Sequence, residues 1–177
     1  MHMTKAILTI VVLAAAVALP EGQSQPGIHG VWRHVERVIP ATTIAGDRVD
    51  PFGHVPVGTQ TDVQPGLLII TRRHYSRTTD TAVKPRPTGA FATPARPTVK
   101  ELQARWGPFA ANAGTYDLSG DVLTLRALVA KEPREQRAGG FARLRAVVTG
   151  DRLSLTPIEN SDGRIAAGVT SRYVRVE

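Results

Sequence analysis

The chain contains no cysteine. No disulfide can staple its fold, and no thiol is present to carry a lipoprotein anchor. Lysine is nearly absent too. Lys5, Lys84, Lys100 and Lys131 are the only four, so the formal charge of +7 rests mostly on arginine. A basic surface favours anionic partners. No clustered basic helix and no aromatic RNA-binding motif occurs, however, which argues against nucleic acid. Neither H-x-H nor H-x-x-x-H links His29, His34, His54 and His74, so no metal site is expected. There is no G-x-S-x-G to seat a hydrolase serine, and nothing in the chain asks for a cofactor or a catalytic residue.

A hydrophobic run of spanning length is also missing. Ala6 to Leu19 is apolar but short of the about 20 residues a transmembrane helix needs. With Lys5 before it, Ala16-Val17-Ala18 near its end, and Pro20 and Gly22 after it, residues 1–24 read as a secretory signal peptide, cleaved somewhere between 18 and 24. The expected product is a soluble monomer in a periplasm or outside the cell. At 177 residues with 42% hydrophobic content, the remainder (28–177) suits one globular domain with an ordinary core.

What the chain does have is one hairpin written twice. Leu118-Ser119-Gly120-Asp121-Val122-Leu123-Thr124-Leu125 returns as Val148-Thr149-Gly150-Asp151-Arg152-Leu153-Ser154-Leu155. A Gly-Asp pair between alternating runs marks a two-residue antiparallel turn. That register sets Leu118 against Leu123, Tyr116 against Leu125, Val148 against Leu153 and Ala146 against Leu155. All the polar partners, including Arg126, Arg143, Arg145 and Arg152, then fall on the other face, as a half-buried sheet requires.

Around this repeat the remaining elements follow in order. Gly30 to Val38 reads as the first strand, with Trp32, His34, Glu36 and Val38 on one face. Ala41 to Pro65 is a long Gly-, Pro- and Thr-rich connection of the kind that serves as a lid or functional loop. Gly66 to Thr71 and His74 to Thr79 form a hairpin through Arg72-Arg73. The proline-rich stretch Asp80 to Pro97 is a loop. Thr98 and Glu101 match a capping box, and Val99, Leu102, Trp106 and Phe109 share one helical face, predicting an amphipathic helix over 98–112 that closes one end of the sheet. After the second hairpin, Asn160 to Gly163 is a turn and Val169 to Val176 the last strand. The expected fold is all-β: an eight-stranded antiparallel up-and-down barrel with one short helix, whose interior holds side chains or one small ligand.

Several of these residues carry a family resemblance. Gly30-Val31-Trp32 with Arg175, Ala113-Gly114-Thr115-Tyr116 after a helix carrying Glu101, Gly150 to Leu155, and the ending Tyr173-Val174-Arg175-Val176 resemble the bacterial lipocalin-like domain family. His74 stands where that family tends to have a turn glycine, and Leu125-Arg126-Ala127 replaces a stretch that often carries histidine. The resemblance implies a calycin-like barrel in which Trp32 packs against Arg175, and it implies binding of a small, mostly apolar molecule.

On that basis the candidate ligand contacts are Trp32, His34, Glu36, Tyr116, Leu118, Leu125, Leu144, Tyr173 and Arg175, with Leu123, Val148 and Leu155 completing an apolar lining. An acidic amphipathic ligand such as a fatty acid would suit the basic chain. His34, Glu36 and Arg175 could instead plug the barrel floor. Two other classes stay open: an isomerase or hydrolase using His34 and Glu36 as an acid–base pair, and an envelope-interaction protein. The second would use Arg126, Arg143, Arg145 and Arg152 to hold anionic polymer.

Overall fold

The computed structural model describes residues 27–40, 58–82 and 84–177. The expected signal peptide and most of the long connection after the first strand lie outside these residues. The strands are β1 (Gly30–Ile39), β2 (Gly58–Gln60), β3 (Gly66–Ile70), β4 (His74–Asp80), β5 (Phe109–Ser119), β6 (Val122–Ala130), β7 (Ala142–Thr149), β8 (Arg152–Asn160), β9 (Gly163–Arg164) and β10 (Thr170–Arg175), with helix α1 (Val99–Trp106) before β5. Eight of them, β1, β3 to β8 and β10, pair antiparallel in ring order, and β10 closes the ring by pairing with both β8 and β1. The barrel is therefore shut, with no free edge in the ring. The short β2 and β9 extend β1 and β8 beyond it.

Both Gly-Asp hairpins have the register the alternation demands. Tyr116 pairs with Leu125, Leu118 with Leu123, Ala146 with Leu155 and Val148 with Leu153. Gly120 and Gly150 take φ of +59° and +56°, and no residue other than glycine has positive φ among the described residues. A left-handed first position followed by an ordinary second one is the sign pattern of a II′ turn, which needs glycine first. The β3–β4 turn solves its poor composition differently. Thr71 bonds His74 through both backbone and hydroxyl, so a side chain substitutes for favourable turn residues.

These short turns gather at one end, the base. Ile28 is tucked beneath it, receiving a hydrogen bond from Trp32 Nε1 at its carbonyl. Arg175 lies 4.1 Å from the Trp32 ring centroid and donates to the carbonyls of Gly27 and His29. The guanidinium thus straps the incoming chain across the base while stacking on the indole. Above it, Trp32, Leu68, Ile70, Leu123, Leu153 and Leu155 form a fully buried core with Tyr75, Leu125, Leu144, Ala146 and Tyr173.

The long connections all leave from the opposite end, the mouth. Helix α1 belongs to one of them, and it is shorter than its apolar pattern implies. Gly107-Pro108 stops it, and Phe109 to Asn112 are strand instead; proline has no N–H to continue the ladder. Nor does the helix close the barrel, because none of its residues is buried. Its N-terminus has the full capping box: Glu101 N–H donates to the Thr98 hydroxyl, and Glu101 carboxylate accepts from Thr98 N–H at 2.7 Å.

The Thr98 hydroxyl, with N–H groups of Ala92 and Thr98, holds the Glu101 carboxyl down to a pKa of about 2. A depressed carboxylate stabilises the folded state above its unfolded pKa and ceases to do so as pH falls through the folded value. A carbon-detected NMR titration should therefore place the Glu101 midpoint near pH 2. A midpoint in the ordinary range of about 4.3 would show that the cap does not form.

Candidate functional site

The barrel interior changes character along its axis. Towards the base it is leucine and aromatic, and towards the mouth it becomes polar. Strand alternation explains the change on β4, where Tyr75, Arg77 and Thr79 share the inward face; Arg77 pairs across with Asn112, which is buried. A cavity of about 250 Å³ occupies this mouth half. Tyr75, Arg77, Asn112, Leu125, Phe141 and Leu144 line it, together with the loop residues Arg134 and Glu135. Its volume lies just under the roughly 300–1,000 Å³ of ordinary small-molecule pockets.

Partnering is incomplete on this wall. Asn112 Nδ2 donates to Glu135 Oε2 at 2.7 Å, but Asn112 Oδ1 is buried without a hydrogen-bond partner. Glu135 is thereby engaged, and among the described residues no carboxylate forms an ion pair with Arg77. Burial pushes the Tyr75 hydroxyl up to about 12, with Glu135 adding to the rise, so this group remains a donor. The hydroxyl of the buried Tyr173 is likewise pushed up by burial, with the Arg77 charge opposing the rise.

His34 lies on the adjacent wall. It is buried, its ring is 5.2 Å from that of Tyr173, and neither ring nitrogen has a hydrogen-bond partner among the described residues. Burial, then the nearby Arg37 charge, pulls its pKa below the ordinary histidine value, so the ring is neutral at pH 7. His34 borders a second, wider cleft of about 810 Å³, shared with Val35, Gly66, Thr79, Asp80 and Phe109. The cleft opens where the β1–β3 pairing ends at Arg33 and Leu67.

Glu36 is not beside His34. The β1–β10 register slips between the two, pairing His34 with Tyr173 and Glu36 with Arg172, and leaves Val35 as a bulge. A bulge reverses the inside–outside alternation beyond it. Glu36 therefore points outward and pairs with Arg172 at 3.0 Å, while Arg37 turns in. This corrects the expectation that Trp32, His34 and Glu36 share the interior, and it dismantles both the acid–base pair and the His34–Glu36–Arg175 plug.

Other expected contacts are occupied by the fold. Trp32 is sealed in the core and Arg175 is the base strap described above. The Tyr116 hydroxyl donates to the Thr71 carbonyl at 2.8 Å and meets His29 Nε2 at 2.9 Å, so it locks the base instead of facing a ligand. Leu118 has the inward register but sits at the hairpin tip, 45% exposed. Leu123 and Leu155 are core, with Val148 packed against it. Of the leucines proposed to line a cavity, Leu125 and Leu144 border the 250 Å³ chamber.

The outer arginines are mostly answered locally. Arg126 pairs with Asp117, Arg143 with Glu159 at 2.6 Å and Arg145 with Asp121 at 3.1 Å. Counter-charges come from the strands and turns themselves. Exposed pairs of this kind contribute little, about 0–1 kcal/mol, but they neutralise the face.

Arg77 is the residue that the sequence reading passed over. Its signal was present, since Tyr75 and Arg77 are two apart on one strand and an inward tyrosine takes the arginine inward with it. No family model, no curated protein and no solved structure matches this chain.

Proposed function

We propose that this protein is an exported, lipocalin-like binding protein that takes a small amphipathic anion into the mouth half of its barrel. The observation that carries this reading is Arg77, partly buried on the chamber wall and without an acidic partner among the described residues. A charge withdrawn from water needs compensation, and an incoming carboxylate supplies it. At the rim Arg137 pairs with Asp162 and Glu159 with Arg143, which leaves Arg134 beside Glu135, and the Tyr75 hydroxyl is a further donor. Leu125, Leu144 and Phe141 offer an apolar wall for the ligand body. The volume favours a short body over a long acyl chain.

Octanoate is a suitable probe in isothermal titration calorimetry. Charge-assisted hydrogen bonds contribute about 1.5–3 kcal/mol, so Arg77→Gln should weaken octanoate binding by about tenfold or more. Ala127→Phe, which places a ring in the chamber, should abolish binding while circular dichroism stays unchanged. Equal affinity in the wild type and both variants would overturn the reading.

A further inference from the structure

Helix α1 presents its apolar stripe to solvent. Val99 is 70% exposed, Trp106 51% and Leu102 39%. On β6, which pairs with the strand that follows the helix, Leu128 and Val129 are exposed as well. An amphipathic helix normally turns such a stripe to the core, and here the barrel core is complete without it.

The surrounding charge is one-sided. Between residues 80 and 108 stand Lys84, Arg86, Arg96, Lys100 and Arg105 against Asp80 and Glu101, five positive and two negative, for a net +3. Arg86 is paired with Asp80, and Arg105 stacks on Phe91 and donates to the Gly89 carbonyl, so among the described residues Lys84, Arg96 and Lys100 are the cations left to meet a partner. Glu101 is committed to the helix cap. Lys84, Lys100 and Lys131 are all the lysines beyond Lys5, and every one lies in a mouth-end connection. Lys131 donates to the carbonyls of Trp106 and Gly107, which fixes the end of the helix against the barrel.

We infer that this face docks on an anionic lipid bilayer. Apolar side chains with a tryptophan among basic residues suit the headgroup boundary, where the rings and methyls insert and the cations meet lipid phosphate. Each basic residue near an anionic surface adds about 1 kcal/mol of attraction. Pairing of two copies through the same face would instead oppose two positive patches. Docking by α1 brings the barrel mouth to the membrane. The inference stands apart from the chamber reading.

Vesicle co-sedimentation tests it, comparing phosphatidylcholine alone with a phosphatidylcholine–phosphatidylglycerol mixture. Trp32 is fully buried, so any blue shift in emission on binding reports Trp106. The protein should sediment with the mixed vesicles, shift blue, and release at high salt. The double variant Val99→Ser, Leu102→Ser and the single Lys100→Glu should each lower partitioning about tenfold or more, with octanoate affinity unchanged.

Failure to bind the mixed vesicles, or equal binding to both lipids, would overturn the inference. So would Trp106 already shielded from acrylamide in the free protein, which would mean that another segment of the chain covers the stripe. Concentration-dependent dimerisation abolished by the serine variant would assign the face to a second copy.

Discussion

Trp32→Ala should lower the unfolding free energy by about 3–5 kcal/mol, the range for removing a fully buried aromatic side chain. Three losses coincide at this position. The core loses its largest buried ring, the Ile28 carbonyl loses its Nε1 donor, and Arg175 loses the face on which it stacks. Arg175 would still bond the carbonyls of Gly27 and His29, but over a void. For a domain of this size each kcal/mol moves the melting temperature about 2–4 °C, so thermal melts should fall by roughly 6–20 °C. Trp32→Phe should recover part of this by refilling the site without restoring the hydrogen bond. A loss under about 1 kcal/mol for the alanine variant would show that the base is not where the fold is held.

Gly114→Ala should be nearly as damaging, although it adds a single methyl group. A Cβ at Gly114 would stand 1.9 Å from the Arg126 carbonyl oxygen, 2.8 Å from Leu128 N and 2.9 Å from Ala127 Cα. All three obstacles are backbone atoms of β6, so no side chain can rotate away. The β5–β6 register slips between Ala113 and Gly114, and the close approach occurs at that bulge. Overpacking a filled site costs about 1–3 kcal/mol, occasionally more, and the upper part of that range is expected because strands would have to part. Urea unfolding measures it directly. Wild-type stability in this variant would mean that β5 and β6 do not approach as closely as described.

These two residues also show what a sequence can and cannot reveal here. The Gly-Asp hairpins were legible to the individual pair, because period-two alternation and a turn glycine agree on one register. Closure of the ring followed from the number and order of strands. The bulge at Val35 was not legible. Nothing in Val31-Trp32-Arg33-His34-Val35-Glu36-Arg37 breaks the alternation, and the slip shows only in the pairing of β1 with β10. One unpaired residue then moved Glu36 out and Arg37 in, and with them the polar lining of the cavity. The helix end was legible in Gly107-Pro108 but was outweighed by the apolar spacing that runs on to Phe109. Tyr116 shows a further limit. Its inward register was correct, yet its hydroxyl closes the base because Thr71 and His29 meet it there.

The chamber wall differs from the base in one physical respect. At the base every conspicuous polar group is answered, as Arg175, Tyr116 and Trp32 show. In the mouth half, among the described residues, His34 and Asn112 keep buried polar atoms without partners, and Arg77 forms no ion pair although Glu135 lines the same chamber. Buried polar atoms are seldom left unpaired in a finished core. On the proposed reading an incoming anion answers Arg77, while Asn112 Oδ1, an acceptor, needs a donor instead.

Native mass spectrometry tests that claim most directly, on wild type and Arg77→Gln purified from the expression host and then supplied with octanoate. The account predicts one anionic small molecule per wild-type chain, either co-purified or octanoate itself, and an Arg77→Gln chain largely free of it. A wild-type chain that carries nothing even with octanoate in excess, or an Arg77→Gln chain equally loaded, would contradict it.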